Sequence, residues 1–270
     1  MISVLSVASC SNFRFLSVRT IKLTLAYDGT NFAGWQIQAA GRTVQGVLEA
    51  ALARVAGEAI RVAASGRTDS GVHALGQGVS FEYAGPLPAD DLARAINAYL
   101  PEDAAVTDAA DAPPGFHARR SAARKRYRYR IYDGPVRAVF ERSFVWQCRQ
   151  RLCEQAMARA AAALVGTHDF ASFQTAGSPR ESTVRTVYEI AVRRGRAGEG
   201  DEVVIEVEAD GFLYNMVRGI VGTLVEVGRG AAPEELPAAA LAARDRRAAG
   251  PNAPAAGLCL LHVTYPDDLV

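Results

Sequence analysis

The sequence has little cysteine and histidine, and neither is grouped as metal ligands. Its 270 residues include four cysteines and four histidines. The cysteines are Cys10, Cys148, Cys153 and Cys259, and no two have the Cys-x-x-Cys spacing of a zinc site. We therefore expect no bound metal, and we interpret these residues as reduced thiols of a cytoplasmic protein.

Long apolar runs are also missing. No stretch reaches the ~18 residues that a transmembrane helix needs, so we expect no membrane association. Residues 1–20 contain no acidic residue, carry Arg14 and Arg19, and lack the charged start of a secretory signal. A transit peptide and a dispensable tail are both compatible with this composition. We predict that residues 1–20 form a disordered extension.

Lysine is almost absent, since Lys22 and Lys125 are the only two among 30 basic residues. Arginine binds phosphates with a planar fork and stacks on bases, so this bias fits an RNA-binding protein. A GC-rich genome would produce the same bias without any functional reason. The net charge of +1 does not by itself indicate a nucleic-acid partner.

Hydrophobic periodicity predicts alternating strands and helices. The expected strands cover residues 22–27, 60–64, 77–83, 126–132, 187–192, 203–207 and 258–265. The expected helices cover residues 44–55, 92–99, 152–165, 216–227 and 236–248. This order predicts an α+β fold, in which two similar halves place helices on one side of a mostly antiparallel sheet. The break at residues 113–115 divides the chain into subdomains 21–112 and 113–270.

Residues 65–73, with the sequence SGRTDSGVH, are the most informative segment. Asp69 lies in a glycine-flanked turn, with Arg67 two residues before it and His73 four residues after it. A carboxylate, a cation and an imidazole on one loop form a plausible catalytic set. Aspartate also stabilises turns very often, and the pattern alone favours that simpler interpretation.

Several further motifs resemble those of one family. These are YDGT at 27–30, FAGWQ at 32–36, TVQG at 43–46, FHAR at 116–119, RYRY at 126–129, GTHDF at 166–170, SF at 172–173, VRT at 184–186, MVR at 216–218, IVG at 220–222 and GL at 257–258. Together with GRTDSGVH at 66–73, they resemble, in order, the TruA-type tRNA pseudouridine synthases. The matches run from Ile21 to Pro266, which is nearly the whole chain.

The resemblance implies a pseudouridine synthase fold, with a catalytic cleft between the two subdomains. It implies an isomerase that converts uridine to pseudouridine at positions 38, 39 and 40 of the tRNA anticodon stem-loop. Asp69 would be the nucleophile, attacking either C6 of the uracil or C1′ of the ribose. The resemblance also implies a homodimer that needs no metal and no cofactor.

Four further residues are expected to bind the substrate. The family motifs match Tyr127 to a base-stacking tyrosine and Leu258 to an apolar residue on the other side of the uracil. They also support a salt bridge from Arg218 to Asp69, and Arg67 would point toward the bound RNA. The alternatives are a core position for Tyr127 and Leu258, and a solvent or backbone contact for Arg218.

Basic residues and tyrosines alternate between positions 117 and 130 with no intervening acid. The basic residues are His117, Arg119, Arg120, Arg124, Lys125, Arg126, Arg128 and Arg130. Either a solvated charged face or a surface that follows RNA phosphates would have this pattern. Two rival functions also stay open, namely an RNA-binding protein without catalysis and a synthase for another RNA. Residues 173–179 lack a cysteine that many relatives carry, and Cys259 replaces a common aromatic residue.

Overall fold

The computed structural model describes residues 17–175, 182–195 and 200–266. These residues form ten strands: β1 (Arg19–Tyr27), β2 (Ala63–Ala64), β3 (His73–Tyr83), β4 (Ala104–Ala112), β5 (Arg124–Tyr132), β6 (Trp146–Gln147), β7 (Gly166–Asp169), β8 (Val184–Arg194), β9 (Glu202–Ala209) and β10 (Leu258–Thr264). They also form five α-helices: α1 (Val44–Ala56), α2 (Ala89–Asn97), α3 (Glu154–Ala161), α4 (Met216–Gly228) and α5 (Leu236–Ala243).

The strands form one sheet in the order β4-β1-β3-β10-β5-β9-β8-β7, with β2 paired to β3 and β6 paired to β5. Most neighbouring strands are antiparallel. The exceptions in the described residues are β10 with β3 and β6 with β5, which are parallel. The fold is therefore α+β with a mixed, mostly antiparallel sheet, as the sequence predicts.

The last strand joins the two halves of this sheet. β10 pairs with β5 over most of its length, and it pairs with β3 only through Cys259 and Leu260. The N-terminal strands β4, β1 and β3 thus meet the C-terminal strands through a short parallel contact. The hydrophobic core is nevertheless continuous, because buried side chains of both halves belong to one cluster.

Alternating side chains place the core on one face of each half. Leu23 and Leu25 of β1 are fully buried together with Leu48 of α1. In the second half, Tyr129 of β5 and Ile220 of α4 are likewise fully buried. This packing places two segments at the centre of the sheet. One is the connection from β2 to β3, and the other is the loop that leads from α5 into β10.

Helix α4 lies unusually close to that second loop. A Cβ added to Gly222 would lie 1.6 Å from the carbonyl oxygen of Pro251, which is far inside van der Waals contact. Glycine at this position therefore allows the loop backbone to touch the helix. The amide of Ala253 then donates a 3.0 Å hydrogen bond to the carbonyl of Arg218.

The structure corrects several element boundaries. The sequence analysis missed β4, β6 and β7, and it extended α5 to residue 248. That helix ends at Ala243 because Arg244 has a φ of 49°, and a new short turn begins at Asp245. The N-cap at Thr43 is confirmed, since its hydroxyl accepts a hydrogen bond from the amide of Gly46.

The predicted extension over residues 1–20 is too long at its C-terminal end. Arg19 and Thr20 belong to β1, and Arg19 forms an ion pair of 2.7 Å with Asp111 of β4. Residues 1–16, including Arg14 and Cys10, lie outside the described residues. The division at 112/113 stays a prediction. No helix in the described ranges is long and apolar enough to cross a membrane.

Candidate active site

The loop between β2 and β3 carries the sequence SGRTDSGV, and two of its hydroxyl side chains face inward. Ser65 and Thr68 are buried, whereas Arg67 is exposed. The hydroxyl of Ser65 donates to the side chain of Gln77, whose amide donates in turn to the carbonyl of Gly66 at 2.8 Å. Two inward hydroxyls thus fix the loop, and Asp69 projects from a rigid base.

A glycine lies directly beneath this loop. Gly34 has a φ of +100°, and a Cβ there would lie 2.9 Å from the carbonyl of Thr68. The next amide, of Trp35, donates a 3.0 Å hydrogen bond to that same carbonyl. Any other residue at position 34 would strain the backbone and displace the loop that carries Asp69.

Asp69 is partly buried, with 28% of its side chain exposed. Its hydrogen-bond partner among the described residues is Arg218, whose Nη1 lies 3.5 Å from Oδ2. Burial raises the pKa of Asp69 above its usual value, and the positive charge of Arg218 opposes this rise. Within the part of the chain that the structure describes, Arg218 donates to Oδ2 and no donor reaches Oδ1.

Arg218 is held at two further points. Its Nε donates to the carbonyl of Ala253 at 2.7 Å, and its Nη1 donates to Oδ1 of Asn215 at 2.8 Å. Both interpretations of this arginine from the sequence are therefore correct. It binds a backbone carbonyl, and it also pairs with the carboxylate of Asp69.

Tyr127 lies on the inward face of β5 and is only 8% exposed. The ring of Phe212 packs edge-on against it, with the ring centres 5.1 Å apart. Burial raises the pKa of Tyr127 strongly, and the negative charge of Asp69 contributes to the rise. The phenol is therefore neutral and lies within electrostatic range of the carboxylate. Tyr127 therefore lies at the edge of the core and also close to Asp69.

Leu258 begins β10 and is also buried. It pairs across the sheet with Tyr129, whose hydroxyl donates to the carbonyl of Pro254 at 2.7 Å. The short turn before it, Ala255–Gly257, approaches the catalytic loop, because Ala255 would contact a Cβ on Gly71 at 3.3 Å. Leu258 thus follows a turn that borders the loop of Asp69.

His73 does not join this group. Its Nδ1 lies 3.0 Å from the amide nitrogen of Gly29 and 3.1 Å from Oδ1 of Asp28, and its Nε2 lies 3.2 Å from the carbonyl oxygen of Ala256. These contacts tie the ring of His73 to other parts of the chain, and the catalytic set that the loop sequence suggested stays a prediction. His73 links the first turn of the chain to the segment before β10.

The basic stripe on β5 is largely neutralised by neighbouring acids. Arg124 pairs with Glu208, and Arg126 pairs with the same glutamate at 3.0 Å. Arg130 pairs with Glu202 at 2.7 Å. These acids lie on β9, which is adjacent in the sheet and distant in the sequence. Arg67, Arg119 and Arg120, by contrast, are exposed cations for which the described residues record no side-chain partner.

Sequence reasoning missed three residues that shape the site: Asn215, Phe212 and the carbonyl of Ala253. Asn215 directly precedes the MVR motif at a helix start, a signal that could have been noticed. Residues 176–179 of the divergent loop lie outside the described residues. Thr175 of that loop does reach the site, since its hydroxyl accepts a 3.0 Å hydrogen bond from Asn215.

Comparison with known proteins identifies the chain. A family model described as "tRNA pseudouridine synthase" matches residues 24–119 and 160–266. The chain is 52% identical to tRNA pseudouridine synthase A of Moorella thermoacetica, over 91% of this chain and 99% of that protein. It is 50% identical to the protein of the same name from Halalkalibacterium halodurans, over 89% of this chain and 90% of that protein.

The fold, the carboxylate loop and the family match define an RNA-modifying isomerase. At about half identity over nine tenths of its length, the chain belongs to the tRNA pseudouridine synthase A family. Among solved structures, one titled "Structure of H/ACA RNP bound to a substrate RNA containing 2'-deoxyuridine" covers 76% of this chain and 44% of its own, at 15% identity and a TM-score of 0.33. That likeness is too distant to bear on the site.

The electrostatics of Asp69 are directly measurable. We expect the pKa of Asp69 in the free protein to lie above the usual ~3.9, because burial outweighs the nearby arginine. Substitution of Arg218 by Gln should raise it further, because an opposite charge is lost. Carbon-13 NMR titration of the aspartate carboxyls measures both values. Asp245, whose pKa Arg247 lowers to about 2, is the internal reference. An unchanged Asp69 pKa in Arg218→Gln would contradict the assignment of this pair.

Proposed function

We propose that Asp69 is the nucleophile with which this enzyme isomerises uridines at positions 38, 39 and 40 of the tRNA anticodon stem-loop. The observation that carries the proposal is the Asp69 carboxylate itself, held on a rigid loop with one oxygen paired to Arg218 and the other unpartnered. An ionised carboxylate of this kind is a competent nucleophile. The positions follow from the resemblance of the motifs to the family.

The reaction breaks the bond between C1′ and N1 and forms a bond between C1′ and C5 of the same uracil; C5 releases its hydrogen as a proton, and N1 gains a proton. A carboxylate can add to C6 of the base, or it can displace the base from C1′. Either route holds one half of the nucleotide while the uracil turns. Because substrate and product are isomers, the reaction needs no redox cofactor. Asp69 supplies the covalent attachment in both routes, and both remain open.

The other proposed substrate-binding residues surround this carboxylate. The Tyr127 ring would stack on the uracil, and stacking of a base on an aromatic side chain is worth roughly 1–3 kcal/mol. Leu258 would pack against the other side of the base. Arg67, exposed two residues before the nucleophile, would bind RNA where the target nucleotide leaves its stack, a step that costs a few kcal/mol.

Replacement of Asp69 by Ala should abolish turnover, with a loss of roughly 10⁴-fold or more, because the covalent step has no other carboxylate. Binding of tRNA should change little, since contacts with shape and phosphates supply most of the affinity. Tritium release from tRNA labelled at C5 of uridine measures turnover, and a filter assay measures binding. Asp245→Ala, at an aspartate whose side chain is 40% exposed, is the matched control.

Retained turnover in Asp69→Ala would exclude Asp69 as the nucleophile. Loss of turnover together with loss of binding would mean that Asp69 holds the RNA rather than attacks it. An inactive wild-type protein that still binds tRNA would support the rival function of an RNA-binding protein without catalysis.

We also propose that unpaired arginines beside the loop bind the tRNA backbone. Arg119 and Arg120 follow His117, whose Nδ1 accepts hydrogen bonds from both of their amides, so a tight turn presents their side chains together. Their charge is not offset by a recorded acid, unlike that of Arg126 and Arg130 on β5. A phosphate would therefore meet free guanidinium groups at this turn.

Replacement of both Arg119 and Arg120 by Ala should weaken tRNA binding and reduce its salt dependence. Each lost phosphate contact lowers the slope of log K against log salt by about one. The control is the double variant Arg130→Gln with Glu202→Gln, which removes an ion pair without changing the net charge. Equal slopes for the wild type and the Arg119/Arg120 variant would show that this turn does not bind phosphates.

The resemblance further implies a cytoplasmic homodimer, and one surface supports a dimer. The loop between β5 and β6 exposes four large apolar residues: Val136, Val139, Phe140 and Phe144. It borders a cavity of about 330 Å³ on the face of the sheet opposite Tyr127, which Leu75 and Arg128 also line. Exposed apolar groups of this size are typical of protein interfaces.

Substitution of Phe140 by Ser should convert a dimer to a monomer, because Phe140 is 89% exposed and its burial would stabilise the interface. Light scattering after size-exclusion chromatography measures the mass. Val184→Ser, at an exposed apolar position on β8, is the control and should leave the mass unchanged. A dimeric Phe140→Ser protein would place the interface elsewhere, and a monomeric wild type would contradict the dimer.

A further inference from the structure

Asn215, at the start of α4, has an unusual backbone conformation. Its φ is 61° and its ψ is 9°, in the left-handed region, which only Arg244 shares among the non-glycine residues that the structure describes. Asparagine tolerates this region better than most residues. Its side chain does not cap the helix that follows, although asparagine commonly does so. The amide instead reaches two other side chains.

The two contacts of Asn215 have a fixed direction. Arginine only donates hydrogen bonds, so the atom facing Nη1 of Arg218 at 2.8 Å must be the amide oxygen. The amide nitrogen then donates to Oγ1 of Thr175 at 3.0 Å. Thr175 accepts a second hydrogen bond, also of 3.0 Å, from Asn252. The oxygen of Asn252 in turn accepts from Arg246, which fixes that amide as well.

These contacts determine the orientation of the Arg218 guanidinium. Nη1 carries two hydrogens that lie in the plane of the guanidinium. One hydrogen is directed at Asn215, and the other is left for Oδ2 of Asp69. The Nε hydrogen is bound by the carbonyl of Ala253, so the plane cannot rotate freely. Removal of the Asn215 oxygen would free Nη1 to turn away from the carboxylate.

We propose that Asn215 is a positioning residue for the isomerisation, and that Thr175 supports it. Asn215 fixes the guanidinium of Arg218 so that its remaining Nη1 hydrogen points at Asp69 and keeps that carboxylate ionised and correctly placed. The inference rests on the proposed role of Asp69 as nucleophile. It also gives a function to Thr175, which lies in the loop that departs from the family pattern.

The test is the substitution of Asn215 by Gly. Glycine adopts a φ near +60° without strain, so the variant removes the amide and keeps the backbone. The single-turnover rate at saturating tRNA should fall about 10- to 100-fold, as expected when a catalytic group is misplaced. The affinity for tRNA should stay within about two-fold of the wild type, because Asn215 is not proposed to contact the RNA.

The pH profile separates positioning from a merely structural effect. The rate should fall at low pH as Asp69 is protonated, and in Asn215→Gly this fall should begin at higher pH because Arg218 no longer favours the carboxylate. Thr175→Val should shift the profile in the same direction by a smaller amount. Thr175→Ser keeps the hydroxyl acceptor and should restore the wild-type profile. Arg244→Gly, at the other left-handed residue, controls for the backbone change.

Wild-type rates and an unshifted profile in Asn215→Gly would overturn the inference. So would a Thr175→Ser variant as impaired as Thr175→Val, or an Arg244→Gly variant with the same loss as Asn215→Gly. The variant Arg218→Gln distinguishes a failure of the proposed role of Asn215 from a failure of the proposed Asp69–Arg218 pair. If it is slow while Asn215→Gly is normal, only the role of Asn215 fails. If Arg218→Gln is itself normal, the proposed Asp69–Arg218 pair fails with it.

Discussion

The contact between Asp69 and Arg218 joins two halves of the chain that are 149 residues apart. Asp69 would lose hydration on burial and become harder to ionise without a nearby cation. Arg218 can act as this cation only because α4 holds it beside Asp69. The position of α4 is set in turn by its packing on the loop before β10. The same loop leads into the strand that joins the halves of the sheet. The electrostatics of one carboxylate thus depend on the assembly of the whole sheet.

Close backbone packing makes this arrangement precise. Gly34 allows the segment around Trp35 to support the catalytic loop, and Gly222 allows residues 250–253 to lie against α4. The carbonyl of Ala253 can then bind Arg218 directly. Two positions without a side chain therefore set where the carboxylate and the guanidinium meet. A distance of 3.5 Å between them leaves the carboxylate weakly hydrogen-bonded, which suits the nucleophilic role that we propose for it.

The sequence predicted much of the fold because most of its elements have clear periodicity. The N-cap at Thr43 and the alternation along β5 are local features, and both are confirmed. β4 was missed because its alanines and aspartates have low strand propensity, and it forms only through its pairing with β1. The acids of β9 that neutralise Arg124, Arg126 and Arg130 could not be foreseen either. Their effect depends on which strands become neighbours.

The candidate site, like the fold, could be predicted from the sequence only in part. The loop around Asp69 and the tyrosine on β5 could be identified from motifs, because motifs are contiguous in sequence. The pairing of Arg218 with Asp69 was also expected, but the particular atoms that hold the guanidinium in place, the carbonyl of Ala253 and the amide oxygen of Asn215, were not, since a backbone carbonyl has no signature in the sequence. The backbone atoms that bind the ring of His73 could not be foreseen either, because its nearness in sequence to Asp69 carries no information about them.

The most direct test of the central claim is to map pseudouridine in unmodified tRNA after incubation with the purified protein. Carbodiimide treatment followed by primer extension locates each modified position. The account predicts pseudouridine at positions 38, 39 and 40 wherever a tRNA has uridine there, and none when the Asp69→Ala protein is used. Modification confined to other positions, or modification by Asp69→Ala, would contradict it.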